Sequence, residues 1–174
     1  MGQNPLDHLL HHRLAQREDL AAIVEIYNET IPSRQVTADT EPVSVASRIP
    51  WFDAHSSATR PLWVTEIDGR IAAWMSFSSF YGRPAYERTA ELSIYVDESF
   101  RRRGLGRHLL NAAMTSAPSL NIDTLLGFIF GHNAPSLALF ERHGFARWGV
   151  LPRVAVLAGV ERDLIIVGRR VERN

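Results

Sequence analysis

Three consecutive arginines, Arg101, Arg102 and Arg103, run straight into Gly104-Leu105-Gly106. These residue types in this order have the chemistry of an anion host. The first N–H groups of a helix lack backbone acceptors, and the helix dipole places about half a positive charge there. Gly104 and Gly106 carry no Cβ, so a phosphate could approach the main chain closely. Arginine adds fixed charge and forked donors. An arginine run alone reads as a solvated face; set against a glycine-bearing helix start it reads as a phosphate site.

Such a loop needs a rigid strand before it and a helix after it, and the sequence supplies both. Along Thr89 to Val96, Leu92, Ile94 and Val96 alternate with Glu91, Ser93 and Tyr95, the period of a strand with two unlike faces. Beyond the glycines, Leu105, Leu109, Ala112 and Ala113 recur at helical spacing, and Pro118 marks the end.

The 174 residues suit one domain, 1–174, with a sizeable core, and 45% hydrophobic against 22% charged residues is a globular composition. Basic and acidic residues balance at 19 each, so no global field argues for nucleic acid or a membrane surface as a partner. The absence of cysteine removes disulfides, zinc thiolates and a thiol nucleophile. The first residues contain no long apolar run, which reads as neither secretory signal nor membrane span, leaving a cytoplasmic location as the expectation. His8, His11 and His12 read as solvated surface rather than a metal site.

The remaining elements follow in order. Arg13 to Gln16 is a short first strand, and a helix opening at Arg17-Glu18-Asp19 carries Leu20, Ile23, Val24 and Tyr27 on one face and stops before Pro32. Residues 32–40 form a loop, and 41–55 form a helix expected to break at Pro50. Trp51 and Phe52 beside that break are either core or pocket lining. Leu62 to Ile67 and Arg70 to Phe77 flank Asp68-Gly69, a hairpin turn signal. After the glycine-loop helix come an apolar strand from Asp123 to Phe130, a helix from Pro135 to His143 capped by Gly144, and a closing hairpin about Ala158-Gly159. This order predicts an α/β fold: one mixed, mostly antiparallel twisted sheet with helices on both faces.

The Arg-x-x-Gly-x-Gly spacing after a strand resembles the pyrophosphate loop of the GNAT family of N-acetyltransferases. A second block, Asn133-Ala134-Pro135-Ser136 followed by Phe140 to Phe145, is similar to that family's late helix. Within the family, Ile26-Tyr27-Asn28 with Ile31, Ala85-Tyr86 leading to Thr89-Ala90-Glu91, and Tyr95-Val96 resemble the phosphinothricin and methionine-sulfoximine acetyltransferases, over roughly Arg13 to Asp163. The resemblance implies acetyl transfer from acetyl-CoA to the amino group of a small amino acid or analogue, by a homodimer; the scattered histidines and the lack of a His-Glu-x-x-His motif give the expectation of no metal.

It also implies roles for particular residues. Glu91 is the expected general base. The chemistry supports this independently, since an amino acid arrives as an ammonium and must lose a proton before it can attack a thioester. A strand glutamate facing solvent is the other reading. Ile94, Tyr95 and Val96 are expected to pair with the pantetheine amides as an added strand would. Arg102, Arg103, Gly104, Leu105, Gly106 and Arg107 are expected to hold the pyrophosphate. Asn133 and Ser136 are expected beside the pantetheine arm, with helix capping as the alternative for Asn133. Arg83 is either a two-pronged grip on a substrate carboxylate or an exposed loop arginine, and Tyr86 either bonds substrate or packs.

Two departures bear on chemistry. Phe140 stands where many GNAT members have tyrosine, which excludes a phenol acid at that position. In Leu157 to Asp163 the aspartate remains, but the basic and aromatic partners of the phosphinothricin pattern are missing. Competing functions are acetylation of another amine (a protein N-terminus, a polyamine or an aminoglycoside) and a non-catalytic acyl-CoA-binding module. A dinucleotide fold is disfavoured because Leu109 stands where its third glycine belongs.

Overall fold

Asp68 and Gly69 both adopt left-handed φ, 51° and 74°, in the computed structural model, which describes residues 10–172. That pair is the primed turn whose twist matches two antiparallel strands. It joins β2 (Leu62–Ile67) to β3 (Arg70–Ser79). β1 (His12–Leu14) adds to the outer side of β2, and β4 (Thr89–Val96) pairs antiparallel with β3 along its whole length. β5 (Thr124–Phe130), β6 (Ala146–Leu157) and β7 (Val160–Arg170) complete a seven-stranded sheet in the order β1-β2-β3-β4-β5-β7-β6. The β6–β7 hairpin turns at Ala158 and Gly159, again with positive φ at both.

α3 (Leu105–Ser116) and α4 (Ala134–Arg142) cover one face. There Leu109, Leu110, Ala113, Leu137 and Phe140 pack on Met75, Phe77, Leu92, Leu125 and Val167. α1 (Leu20–Thr30) and α2 (Val45–Asp53) lie on the other face, where Ile23 and Ile26 meet Leu62, Val64 and Trp74. The alternation along β3 divides the two cores: Ala73, Met75 and Phe77 face one, Trp74 the other.

Several expectations change in detail. The first strand begins one residue early, at His12. α1 ends at Thr30 as expected, but a 3-10 turn over Ile31–Ser33 carries Pro32 inside it. α2 does not break: Ser44 caps it at Ser47 N, 3.1 Å, and Pro50 lies inside a continuous nine-residue helix. Because the helix starts at Val45, Pro50 removes only the bond that would reach Ala46 in the first turn, so the cost stays local. His8 lies outside the described residues. His12 is not solvated surface: its ring lies 4.5 Å from that of Trp63, and its Nδ1 is 3.2 Å from His108 Nε2.

Candidate active site

β4 and β5 run parallel but stay paired only over Thr89–Glu91 and Thr124–Leu126. Beyond that, β4 follows β3 out to Val96, and β5 follows β7 out to Phe130. The sheet therefore forks at Glu91. From Leu92 onward the β5-facing edge of β4 has no ladder partner, so its N–H and C=O groups are available to an extended ligand.

A groove of about 610 Å³ starts in this fork and runs to the N-terminus of α3. Ile94, Tyr95 and Val96 line it from β4, and Phe128 and Ile129 from β5. Arg102, Gly104, Leu105, Gly106 and Arg107 line its far end, and Arg101 joins them. Gly104 takes φ 84° as the N-cap of α3 and offers no capping side chain, so the first-turn N–H groups are left to whatever occupies the groove. Arg102 also takes a left-handed φ, 62°. Gly106 has a packing role: a Cβ there would lie 3.0 Å from Leu139 Cδ2, so its absence lets α4 approach α3. Arg103 does not line the groove; its guanidinium lies 5.1 Å from the centre of the Phe100 ring.

Asn133 and Ser136 line the groove, but the Asn133 side chain also does capping work. Its Oδ1 accepts from Ser136 N at 3.3 Å, and its Nδ2 donates to Gln35 O at 3.1 Å. Beside it, His132 Nε2 lies 2.7 Å from Arg34 O. These contacts pin the segment after α1 against the groove, where Ser33, Gln35 and Val36 form a wall absent from the sequence reading. Phe140 is buried on the groove floor, 4.9 Å from Phe145, and brings no hydroxyl.

On the α1/α2 face lies a second, smaller hollow of about 180 Å³. Trp74, Ser76 and Ser78 of β3 and Ser93 and Tyr95 of β4 form its floor, and Tyr27, Arg48 and Trp51 close over it. Trp74 and Tyr95 stack at 4.4 Å. Arg48 Nη2 pairs with Asp39 at 2.7 Å and its Cζ lies over the Tyr27 ring at 4.8 Å, while the Tyr27 hydroxyl bonds Thr37 and Asp39. Burial raises the phenol pKa values of Tyr95 and Tyr27, so both stay protonated. Ser93 and Tyr95 line both the hollow and the groove. The two cavities therefore meet along β4.

Glu91 sits at the fork, opposite Ser78 on β3 and Leu126 on β5, on the same strand face as Ser93 and Tyr95. It is half-buried, and its carboxylate makes no hydrogen bond or ion pair among the described residues. Desolvation raises its pKa above the ordinary glutamate value of 4.5. Arg83 and Tyr86 are brought together, but elsewhere. Both are exposed and line a third hollow on the β3–β4 loop with Phe80 and Glu87. Tyr86 packs on Phe80 at 5.3 Å. The hollow that Ser93 lines carries a cation of its own, Arg48, which the sequence reading did not single out; its position three residues before Trp51 on a helix, hence on the same face, was the available signal. Among the described residues no cluster of acidic or histidine side chains could hold a metal, and no helix is long and apolar enough to cross a membrane.

The model of the acetyltransferase (GNAT) family matches residues 20–145. This chain belongs to the GNAT family. The GNAT assignment accounts for the forked sheet and the glycine-started helix together, and it makes the protein an acetyltransferase. YwnH of Bacillus subtilis (strain 168), provisionally named a phosphinothricin acetyltransferase, is 56% identical over 160 residues, covering 91% of this chain and 98% of the relative. The L-methionine sulfoximine/L-methionine sulfone acetyltransferase of Salmonella typhimurium is 28% identical over 162 residues, covering 93% and 95%. The crystal structure of a GNAT superfamily phosphinothricin acetyltransferase from Sinorhizobium meliloti, in complex with acetyl-CoA, superposes with a TM-score of 0.88 at 26% identity, covering 93% and 88%.

Proposed function

We propose that this GNAT enzyme, one domain over residues 1–174, acetylates the primary amine of a small amino acid or amino-acid analogue of the phosphinothricin or methionine sulfoximine type. Acetyl-CoA is the donor and Glu91 the general base. One observation carries the reading: the groove and the hollow share Ser93 and Tyr95, with Glu91 on the same strand face at the fork. A donor lying in the groove and an acceptor lying in the hollow would meet beside that carboxylate. The names of the relatives support the substrate class.

The groove fits acetyl-CoA. The free edge of β4 at Ile94 to Val96 suits the amides of a pantetheine arm, and the uncapped start of α3 with Arg101, Arg102 and Arg107 suits a diphosphate. Acetyl-CoA supplies an activated thioester carbonyl. Glu91 takes the ammonium proton, directly or through a water, and its raised pKa brings its basicity closer to that task. A polycationic acceptor is poorly served, because Asp39 beside the hollow is already paired with Arg48.

The proposal extends to a cytoplasmic homodimer. β6 is an edge strand whose Trp148, Val150, Val154 and Val156 are each at least half exposed, an apolar strip that a second copy would cover. The function is tested by following thiol release from acetyl-CoA against methionine sulfoximine, methionine sulfone, phosphinothricin and the standard amino acids. Turnover confined to the analogues or to a few amino acids is the expected result. No turnover with any of them refutes the reading.

A further inference from the structure

The fork that holds the groove has two prongs. One is β4 with the loop leading into α3; the other is β5 with the turn leading into α4. A single stretch of chain is bonded to both. At the end of α1, Glu29 Oε2 accepts from Glu98 N at 3.3 Å, on the β4 prong. Just beyond, His132 Nε2 reaches Arg34 O at 2.7 Å and Asn133 Nδ2 reaches Gln35 O at 3.1 Å, on the β5 prong. Residues 29–35 thus span the fork from one prong to the other, and Thr30, Ser33, Gln35 and Val36 line the groove. Arg34, near the middle, takes a left-handed φ of 54°. A residue with a Cβ keeps that conformation only where its surroundings hold it. Two bonds do so here: His132 takes its carbonyl, and its own Nη1 donates to Thr40 O at 2.8 Å.

We propose that His132 is a positioning residue for the coenzyme: through its bond to Arg34 it holds residues 33–36 as a preformed wall, and so sets how long coenzyme A stays in the groove. The inference rests on the groove being the coenzyme site and adds the residue that fixes one of its walls. His132 lies outside the groove lining, so it acts through the wall alone. A carbonyl only accepts, so His132 Nε2 carries the proton and Nδ1 is a bare acceptor. That Nδ1 is buried and has no partner among the described residues. An unmet acceptor destabilises the fold, so the imidazole is ill suited to this place as packing alone. What it adds is a donor of fixed direction, because its ring lies on that of Phe130, centroids 5.7 Å apart and 29° from parallel. A wall already in its bound shape spares the ligand the entropy of ordering it. Without the His132 bond, Arg34 relaxes from its left-handed φ and the wall loosens with it. Asn133 is the poorer probe of this idea, because its Oδ1 also caps α4 at Ser136 N, 3.3 Å.

Hydrogen exchange followed by mass spectrometry tests the wall in the wild type, with and without CoA. CoA should slow exchange in peptides covering residues 94–107, which include the rest of the groove's coenzyme end, and in those covering 33–36. Protection of 94–107 without 33–36 overturns the proposal and leaves the groove as the coenzyme site. Protection of neither overturns both. Two variants test the residue itself. His132→Phe keeps a ring on Phe130 and loses the donor, whereas His132→Gln restores a donor at similar reach. In surface plasmon resonance, CoA should leave the Phe variant about five- to tenfold faster than wild type, with Kd raised to match. The Gln variant should recover most of that loss. The Phe variant should melt within about 4 °C of wild type, because losing the bond and losing the bare Nδ1 offset each other. A tie that served only the fold would lower the melting temperature and leave the CoA off-rate alone. An unchanged off-rate in folded His132→Phe, or a Gln variant no better than Phe, overturns the positioning role.

Discussion

Glu91→Gln separates catalysis from architecture, because the fork gives this carboxylate two opposite effects. For turnover, a positioned general base contributes on the order of 10² to 10⁴ in rate, or about 3 to 5 kcal/mol of barrier. The amide is nearly isosteric and leaves the groove intact, so the loss should fall on kcat while KM for acetyl-CoA stays near wild type. The deficit should narrow as the pH rises, because the acceptor then sheds its proton without help. For stability the sign reverses. Burial lifts the Glu91 pKa in the fold above its unfolded value. The folded state thus holds a proton over a pH range in which the unfolded chain has lost it, and stability declines as pH climbs through that range. Above the raised value the whole penalty is present; below the ordinary glutamate range it vanishes. Glu91→Gln removes the penalty, so the variant should melt higher than wild type at neutral pH and no higher in acid. Thiol-release kinetics over a pH series, paired with thermal melts at the same pH values, measure both effects. Near-normal kcat at every pH would refute the base assignment, and a lower melting temperature at neutral pH would refute the desolvation argument.

Gly104→Ala forces a Cβ into a left-handed conformation at φ 84°, costing about 1 to 2 kcal/mol and tilting the first turn of α3. KM for acetyl-CoA should rise with little change in kcat at saturation, which steady-state kinetics would show. Asn133→Ala loses a helix cap and the tie to Gln35, together about 1 to 3 kcal/mol, or a melting drop of roughly 2 to 12 °C by calorimetry. Asn133→Asp keeps the cap and should recover part of it. Light scattering should give wild-type protein twice the 19.6 kDa chain mass, and Val154→Lys with Val156→Lys should halve it; a monomeric wild type refutes the β6 interface.

Much of the sheet was legible because its signals are local. Asp68-Gly69 and Ala158-Gly159 mark primed turns, and the alternation from Leu92 to Val96 assigns each side chain to a face without knowledge of its neighbours. Pro50 misled because its effect depends on where the helix starts, and that start is set by the Ser44 cap rather than by the proline. The glycine-bearing end of the groove was readable as a short motif, whereas the placement of Arg103 was not: whether an arginine enters a groove or stacks on Phe100 depends on backbone turns that a sequence does not display. The small hollow was illegible for a related reason. Ser76 and Ser78 come from one strand, Ser93 from another and Arg48 from a helix, and only the β3–β4 register brings them together. Arg83 has the right chemistry for a carboxylate, but the β3–β4 loop carries it and Tyr86 into the third hollow.

The stretch linking α1 to α2 serves both chambers with one short length of chain. Its first residues, through Val36, wall the groove, and the next few, Thr37 and Asp39, orient Tyr27 and Arg48 over the small hollow. An insertion or deletion there cannot retune one substrate alone. A change in this linker therefore reshapes both cavities at once, whereas a change at Ser76 or Ser78, which line the hollow alone, leaves the groove as it is.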